Sequence, residues 1–156
     1  MAAKEQGPVK TVVAVNRKAR FEYSIEDVFE AGLVLQGTEV KSLRTGRANI
    51  QDGYAGPYQE EIWLYNAHIP EYNQGNRNNH KPTRPRKLLL HKKQVNKLIG
   101  LLKVKGTTLI PLQLYFNASG FAKLEVGVAR GKKQYEKRET IKTRDWKKEQ
   151  GRLLKK

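Results

Sequence analysis

The side chains in this 156-residue chain best suited to chemistry are basic, with acids, aromatic rings and leucines set among them. The most basic segment is residues 130–156, where 12 Lys and Arg stand against 4 Asp and Glu, a net +8 of the chain's +16. Such charge favours a polyanionic partner, for which RNA, DNA and anionic membrane are the candidates. We expect this segment to be disordered alone, because it buries too little apolar surface to offset the entropy of ordering.

The same basic segment carries apolar residues with helical spacing. In a helix over residues 140–154, Trp146, Leu153 and Leu154 share one face, while Ile141 lies elsewhere. Acid–base pairs three residues apart would support that helix. Such a stripe on a basic helix is typical of a partner-binding face or a membrane-surface helix, and docking onto the protein's own core is the simpler alternative. These properties are what a tail that folds against RNA would need.

A second basic cluster follows the first predicted strand and consists of Asn16, Arg17, Lys18 and Arg20. An exposed loop at a strand end is well placed to meet phosphate, and the alternative is a solvated run of charge. The sequence favours phosphate contact, because further Lys and Arg residues along the chain extend the basic set. Phosphate contacts supply salt-sensitive affinity, so base contacts must supply selectivity.

Two short motifs could contact bases. Glu30-Ala31-Gly32 places a carboxylate at a predicted turn, where it could accept hydrogen bonds from base amino or imino groups. A surface carboxylate or a salt-bridge partner is the simpler interpretation. Leu89, Leu90 and His91 belong to a run that begins at Leu88 and opens a predicted helix. One leucine could pack on an unstacked base with His91 beside it, and burial of all three is an equal alternative.

No catalytic, metal or cofactor site emerges from the sequence. The chain has no Cys, and its three His residues lack metal-ligand spacing. No acid, base and orienting group converge as an enzyme would require. The absence of Cys fits a reducing cytoplasm, no apolar run approaches the roughly 20 residues of a membrane span, and the N-terminus lacks a signal peptide. We therefore expect a cytoplasmic protein that is not an enzyme.

About six strands and two helices are predicted to position these residues. The helices are Gly37–Arg44, capped by Thr38 and ended by Gly46, and residues 87–103. Residues 21–35 favour strand, turn and strand over a helix capped at Ser24, and residues 73–86 read as loop. The remaining strands are predicted at residues 11–15, 49–55, 62–69, 107–116 and 121–129, with a hairpin loop at 117–120. Short antiparallel strands connected in this way most often close into a barrel or partial barrel.

Four segments, in order, resemble the SsrA-binding protein (small protein B) family. They are NRKARFEY at 16–23, FEAGLVLQGTEVKSLRTGRANIQDGYA at 29–55, PTRPRKLLLHKKQ at 82–94 and VGVARGKKQYEKRETIKTRDW at 126–146. The resemblance spans nearly the whole chain, and EAGLVLQGTEVKSLR alone is highly specific. It implies a mainly β fold: a small closed or partly open antiparallel β-barrel of the oligonucleotide-binding type, with two or three short helices and a basic C-terminal tail.

The resemblance also implies the partners. A flexible leader at residues 1–10 would precede an RNA-binding barrel at 11–130, which binds the tRNA-like end of transfer-messenger RNA and stands in for its missing anticodon arm. The complex would enter stalled ribosomes for trans-translation. The tail at 131–156, disordered when free, would become helical in the empty messenger channel beside the decoding centre of the small subunit. We expect a monomer that binds no membrane.

Family positions carry over onto both parts of the chain. Asn16, Glu30 and Leu89 match RNA-facing positions, and His91 stands where some relatives carry Asn, whose paired donor and acceptor an imidazole does not copy. The tail positions that match are the hinge Gly131, Lys132 and Lys133, then Tyr135 (His in some members), Glu136, Lys137, Arg138, Leu153 and Leu154.

Three other interpretations make different predictions. A generic ribosomal or initiation-factor-like RNA-binding module would bind ribosomal RNA without preferring transfer-messenger RNA. A structural protein that lays its basic helix on anionic membranes would become helical only with liposomes. A nuclease would need clustered acids for a metal ion, and none is visible in the sequence.

Overall fold

Seven strands and three helices make up the part of the chain that the computed structural model describes, residues 10–72 and 79–131. In chain order they are β1 (Thr11–Val15), α1 (Ala19–Glu22), β2 (Tyr23–Leu33), α2 (Gly37–Arg44), β3 (Tyr54–Tyr58), β4 (Glu61–Tyr65), β5 (Arg86–Leu89), α3 (Lys92–Leu102), β6 (Thr107–Phe116) and β7 (Ala122–Gly131).

The strands form one antiparallel sheet that returns on itself. Their order is β1-β6-β3-β4-β5-β2-β7, and β7 pairs with β6 as well as with β2. Strand β6 pairs with β7 along its length, and with β1 and β3 at its two ends. The result is a partly open antiparallel barrel, which confirms the predicted fold class.

Alternating apolar side chains fill the interior of the barrel. Leu124, Val126 and Val128 of β7 point inward and are at most 2% exposed, as period-two alternation requires. Helix α3 adds Val95 and Leu98 to the same core. None of the helices within residues 10–72 and 79–131 combines the length and apolar character needed to cross a membrane.

Residues 21–35 do not form the predicted two strands joined by a turn. Residues 23–33 are one strand, β2, with a bulge between Ile25 and Asp27. It pairs with β7 from Tyr23 to Gly32, and that long-range pairing overrides the local turn signal of Ala31-Gly32. Residues 19–22 are helix α1, so the basic cluster is part loop and part helix. The alternative helix capped at Ser24 is also wrong.

Residues 86–91 do not form the predicted end of a loop and start of a helix. Arg86–Leu89 is strand β5, paired with β4 and β2, and α3 starts only at Lys92. The strands predicted at 49–55 and 62–69 are shifted toward each other, because Gln59 and Glu60 form a tight hairpin turn. Their φ values are 50° and 64°, as in the two-residue turns that match strand twist.

Helix α2 occupies the predicted residues, but Thr38 does not cap it. The N-cap is Gln36, whose backbone N–H donates to Glu39 Oε1 at 2.8 Å. At the other end Gly46 has φ +81° and its N–H donates to the Leu43 carbonyl at 2.9 Å. This left-handed conformation explains why glycine ends the helix.

A buried ion cluster ties α2 to β5. Glu39 and Arg86 are both 0% exposed, with Arg86 Nε 2.6 Å from Glu39 Oε2, and Arg84 donates to the other carboxylate oxygen. Burial alone would raise the pKa of Glu39, but hydrogen bonds from Arg84 and the Gln36 N–H and the charge of Arg86 lower it below its ordinary value. The cluster therefore holds an ionised carboxylate inside the fold.

Two glycines give opposite predictions for stability. A Cβ at Gly127 would lie 3.0 Å from Ile25 Cγ2 and from Leu112 Cδ1, so Gly127→Ala should destabilise the fold by about 1–3 kcal/mol. A Cβ at Gly100, inside α3, meets nothing within 4 Å. The control Gly100→Ala should stabilise by about 0.5–1 kcal/mol, because alanine favours helix. Urea unfolding measures both changes, and equal effects would contradict the packing described for Gly127.

Candidate nucleic-acid interface

One outward surface of the sheet crosses β5, β2, β7, β6 and β1. In its first row Leu89 lies beside Gly32, Gly32 beside Lys123, and Lys123 beside Tyr115. In the second row Glu30 lies beside Glu125, and Glu125 beside Gln113. We call this surface the outer face and define it by Glu30, Gly32, Leu89, Gln113, Tyr115, Lys123 and Glu125.

The three consecutive leucines of the predicted motif point in different directions. Leu88 is 0% exposed and Leu89 is 53% exposed, while Leu90 is half-buried against the core. A Cβ at position 32 would lie 3.2 Å from the Leu89 Cβ, so glycine there leaves room for Leu89 on the surface of β2. Leu89 is thus the leucine available for packing on a base.

Glu30 lies in the middle of β2, not at a turn, and its carboxylate has an internal partner. The hydroxyl of Tyr115 donates a hydrogen bond to Glu30 Oε2. Burial, together with the neighbouring Glu30 and Glu125 carboxylates, raises the pKa of Tyr115 above its ordinary value, so this hydroxyl keeps its proton. The neighbouring Ala31 is 1% exposed and faces the core.

The basic cluster flanks the outer face because α1 packs on one end of it. Ala19 of α1 packs with Ile110, Leu112 and Ala129 in a small apolar cluster. This packing leaves the predicted residues Arg17, Lys18 and Arg20 on the exposed side. A cavity of about 270 Å³ joins the basic cluster to the second row of the outer face; it is lined by Val15, Asn16, Arg17, Arg20, Leu112, Gln113 and Glu125.

Asn16 is buried, which differs from the expectation of an exposed RNA contact. It is 6% exposed, its side-chain Nδ2 donates to the Pro111 carbonyl at 3.0 Å, and its backbone N–H donates to the Leu112 carbonyl at 2.8 Å. Asn16 therefore anchors the segment between β1 and α1 on β6. Its contribution to the site is to fix the position of the segment that carries Arg17 and Arg20.

The remaining predicted residues are not members of the outer face, or they lie outside the described residues. His91 is exposed at the start of α3, where its backbone N–H donates to Gln94 Oε1 at 3.1 Å. Gly131 is exposed at the end of β7. The other predicted tail residues lie outside the described residues: Lys132, Lys133, Tyr135, Glu136, Lys137, Arg138, Ile141, Trp146, Leu153 and Leu154.

Sequence reasoning missed the contributions of β6 and β7 to this surface. Gln113 and Tyr115, like Lys123 and Glu125, are two residues apart in predicted strands, so alternation alone places each pair on one face. Alternation does not predict which strands pair, and it is the strand pairing that brings Tyr115 to Glu30. Lys10, which the sequence offers only as one more member of the basic set, also lies at this surface. Its Nζ is 4.7 Å from the centre of the Tyr115 ring and donates to Gln113 Oε1 at 2.9 Å.

The arrangement combines three kinds of contact that RNA offers. Arg17, Lys18 and Arg20 are exposed cations of the kind that contacts phosphates. Glu30 is an acceptor of the kind that base amino and imino groups require, and Leu89 is an apolar surface of the kind on which a base can pack. In the part of the chain that the structure describes, no three His, Asp or Glu side chains gather as a metal site would require. The outer face is therefore suited to RNA recognition.

Known proteins are similar to this chain in sequence and in fold. The SmpB protein family matches residues 13–156 of the chain. The chain is 62% identical over 154 residues to a protein of Bradyrhizobium diazoefficiens named SsrA-binding protein, covering 99% of this chain and 98% of that one. A protein of Afipia carboxidovorans with the same name is 61% identical with the same coverage.

A solved structure described as "tmRNA-SmpB: a journey to the center of the bacterial ribosome" is also similar. It is 46% identical, has a TM-score of 0.66, and the match covers 78% of this chain and 85% of that one. The family match spans far more than half of the chain, and the relatives match over nearly their full lengths. The chain belongs to the SmpB family.

Proposed function

We propose that this chain binds the tRNA-like domain of transfer-messenger RNA and delivers that RNA to stalled ribosomes for trans-translation. The observation that carries the proposal is the 62% identity to an SsrA-binding protein over 99% of this chain. The similar solved structure, whose description joins tmRNA, SmpB and the bacterial ribosome, supports the same partners. We place this activity in the cytoplasm, with a monomer acting on each RNA and no catalytic step.

The barrel would make the selective contact with the RNA. Glu30 and Leu89 lie in adjacent strands of the outer face, and the exposed cations Arg17 and Arg20 flank the second row of that face at Gln113 and Glu125. Phosphate contacts alone would bind any structured RNA, whereas a carboxylate and an apolar side chain require a base presented in one orientation. In the complex the barrel would occupy the place of the missing anticodon arm.

The tail, residues 131–156, would act later, on the ribosome. Its net charge suits the RNA walls of the messenger channel, and Trp146, Leu153 and Leu154 would share one face of a helix formed there. Ordering the tail has an entropic cost that binding must offset. Messenger RNA in the channel would exclude the tail by volume and charge, so docking would select ribosomes whose channel is empty.

A reconstituted tagging reaction tests the proposal. Ribosomes stalled at the end of a truncated message are given aminoacylated transfer-messenger RNA with or without this chain, and the Bradyrhizobium diazoefficiens relative serves as positive control. We expect tagged peptide only when one of the two proteins is present. Tagging with the relative but none with this chain would overturn the proposal.

Leu89 should matter for RNA binding and not for stability. Leu89→Ala removes a 53% exposed side chain, so the free energy of unfolding should change by no more than about 0.5 kcal/mol. The loss of apolar packing on a base should weaken transfer-messenger RNA binding by about tenfold. Val104→Ala is the control, because Val104 is 48% exposed and lies outside the outer face. Equal binding by the two variants would remove Leu89 from the interface.

A further inference from the structure

Tyr115 connects two strands of the outer face that are not neighbours. It lies on β6, directly beside Lys123 of β7, yet its hydroxyl donates to Glu30 on β2, the strand beyond β7. The side chain therefore crosses β7 to reach the carboxylate.

The Tyr115 side chain is fixed on several sides. The residue is 5% exposed, although it lies on an outward surface. Lys10 Nζ covers the ring at 4.7 Å and is itself held by Gln113 Oε1 at 2.9 Å. Val12 of β1 lies directly opposite Tyr115 in the sheet. These contacts hold the Tyr115 hydroxyl in one position.

Glu30 needs a hydrogen-bond donor to hold it in place because it lies beside a second carboxylate. Glu125 lies directly opposite it on β7, and like charges directly opposite on paired strands repel each other. A mobile glutamate side chain would turn away from that neighbour. The Tyr115 hydroxyl occupies one of the roughly four lone-pair positions of a carboxylate, which leaves acceptors for a ligand.

We propose that Tyr115 is a positioning residue, which holds the Glu30 carboxylate ready to accept hydrogen bonds from the amino or imino groups of a base in the bound RNA. The inference rests on the proposed function, because it deepens the account of how the barrel selects transfer-messenger RNA. Fixing Glu30 before binding reduces the conformational entropy that the complex must lose. The raised pKa of Tyr115 supports this role, since the hydroxyl remains a donor across the physiological range.

The test is a double-mutant cycle on selectivity, with Tyr115→Phe, Glu30→Ala and both changes together in the full chain. Affinity for transfer-messenger RNA is measured at fixed salt and divided by that for an elongator tRNA. We expect Tyr115→Phe to lower this ratio by about tenfold, the scale of a hydrogen bond to a charged group. In the Glu30→Ala background Tyr115→Phe should have no further effect. Tyr58→Phe, at an exposed ring outside the outer face, is the control.

The outcomes separate the inference from the proposed function. A wild-type protein without preference for transfer-messenger RNA would contradict the proposed function itself. A preference that survives Tyr115→Phe, or a loss that is as large in the Glu30→Ala background, would overturn only the role of Tyr115. If thermal unfolding shows that Tyr115→Phe is destabilised, Lys10→Ala gives a second measurement. It removes the cover of the ring and should lower the same ratio in the same direction.

Discussion

Replacing Glu39 with Gln should strongly destabilise the fold. The substitution leaves Arg86 buried at 0% exposure without its ion-pair partner. Breaking a buried ion pair by removing one member typically costs about 3–5 kcal/mol. This is a large part of the stability of a small domain. Urea unfolding followed by circular dichroism would measure the loss.

Glu61→Gln is the matched control for Glu39→Gln. Glu61 Oε1 lies 3.8 Å from Lys87 Nζ, and both side chains are more than one-third exposed. Such surface pairs contribute about 0–1 kcal/mol. If the two variants lose similar stability, the buried cluster does not hold α2 on β5 as described.

The same cluster predicts how stability depends on pH. The fold lowers the pKa of Glu39 below its ordinary value of 4.5. The stability contributed by this carboxylate is therefore fully present above pH 4.5 and is lost as the pH falls through the lower, folded-state value. Glu39→Gln removes this titration, so stability should fall less steeply in acid than in the wild type, starting from a lower value at pH 7.

Removing the tail should separate RNA binding from tagging on the ribosome. A chain that ends at Gly131 keeps the outer face and the basic cluster, so its preference for transfer-messenger RNA over an elongator tRNA should be unchanged. Its absolute affinity should fall and become less sensitive to salt, because the removed segment is basic. Tagging should fall by about 30-fold to 1,000-fold, the scale of losing an anchored contact of roughly 2–4 kcal/mol.

A charge-matched variant distinguishes tail structure from tail charge. Trp146→Ala, Leu153→Ala and Leu154→Ala together leave every charge in place and remove the predicted helical stripe. They should reduce tagging nearly as much as the truncation does. Ile141→Ala, which lies off that stripe, should leave tagging within about twofold. Full tagging by the triple variant would mean that the tail acts through charge alone.

The sequence predicted those parts of the fold whose signals are local. Helix α2 has its predicted bounds because Gly46 ends it and its two apolar residues, Val40 and Leu43, are three apart and share one side. Strand β5 escaped prediction because it is four residues long and begins with Arg86, whose burial depends on Glu39, 47 residues away in sequence. The turn predicted near Ala31 is wrong for a similar reason: these residues are strand because they pair with β7, which is distant in sequence.

The candidate site, like the fold, could be predicted only where the sequence signal is local. Residue type and spacing suffice to select Arg17, Glu30 and Leu89 as candidates. Leu89 is the exposed member of the three consecutive leucines. No local sequence pattern predicts that exposure, because it follows from the pairing of Gly32 with Leu89. The bond between Glu30 and Tyr115 joins residues 85 apart in sequence, so only the closed sheet reveals it.

The central claim is that the barrel selects transfer-messenger RNA through a carboxylate on its outer face. The most direct test is a competition titration at fixed salt, with transfer-messenger RNA and an elongator tRNA as competitors. It compares the wild type with Glu30→Ala and Glu26→Ala, since Glu26 lies on the same strand and pairs with Arg130 at 3.2 Å. We predict a strong preference in the wild type and in Glu26→Ala, reduced by about tenfold or more in Glu30→Ala. If both RNAs bind alike and affinity follows net charge in all three proteins, the barrel is a generic basic RNA-binding module and the account is wrong.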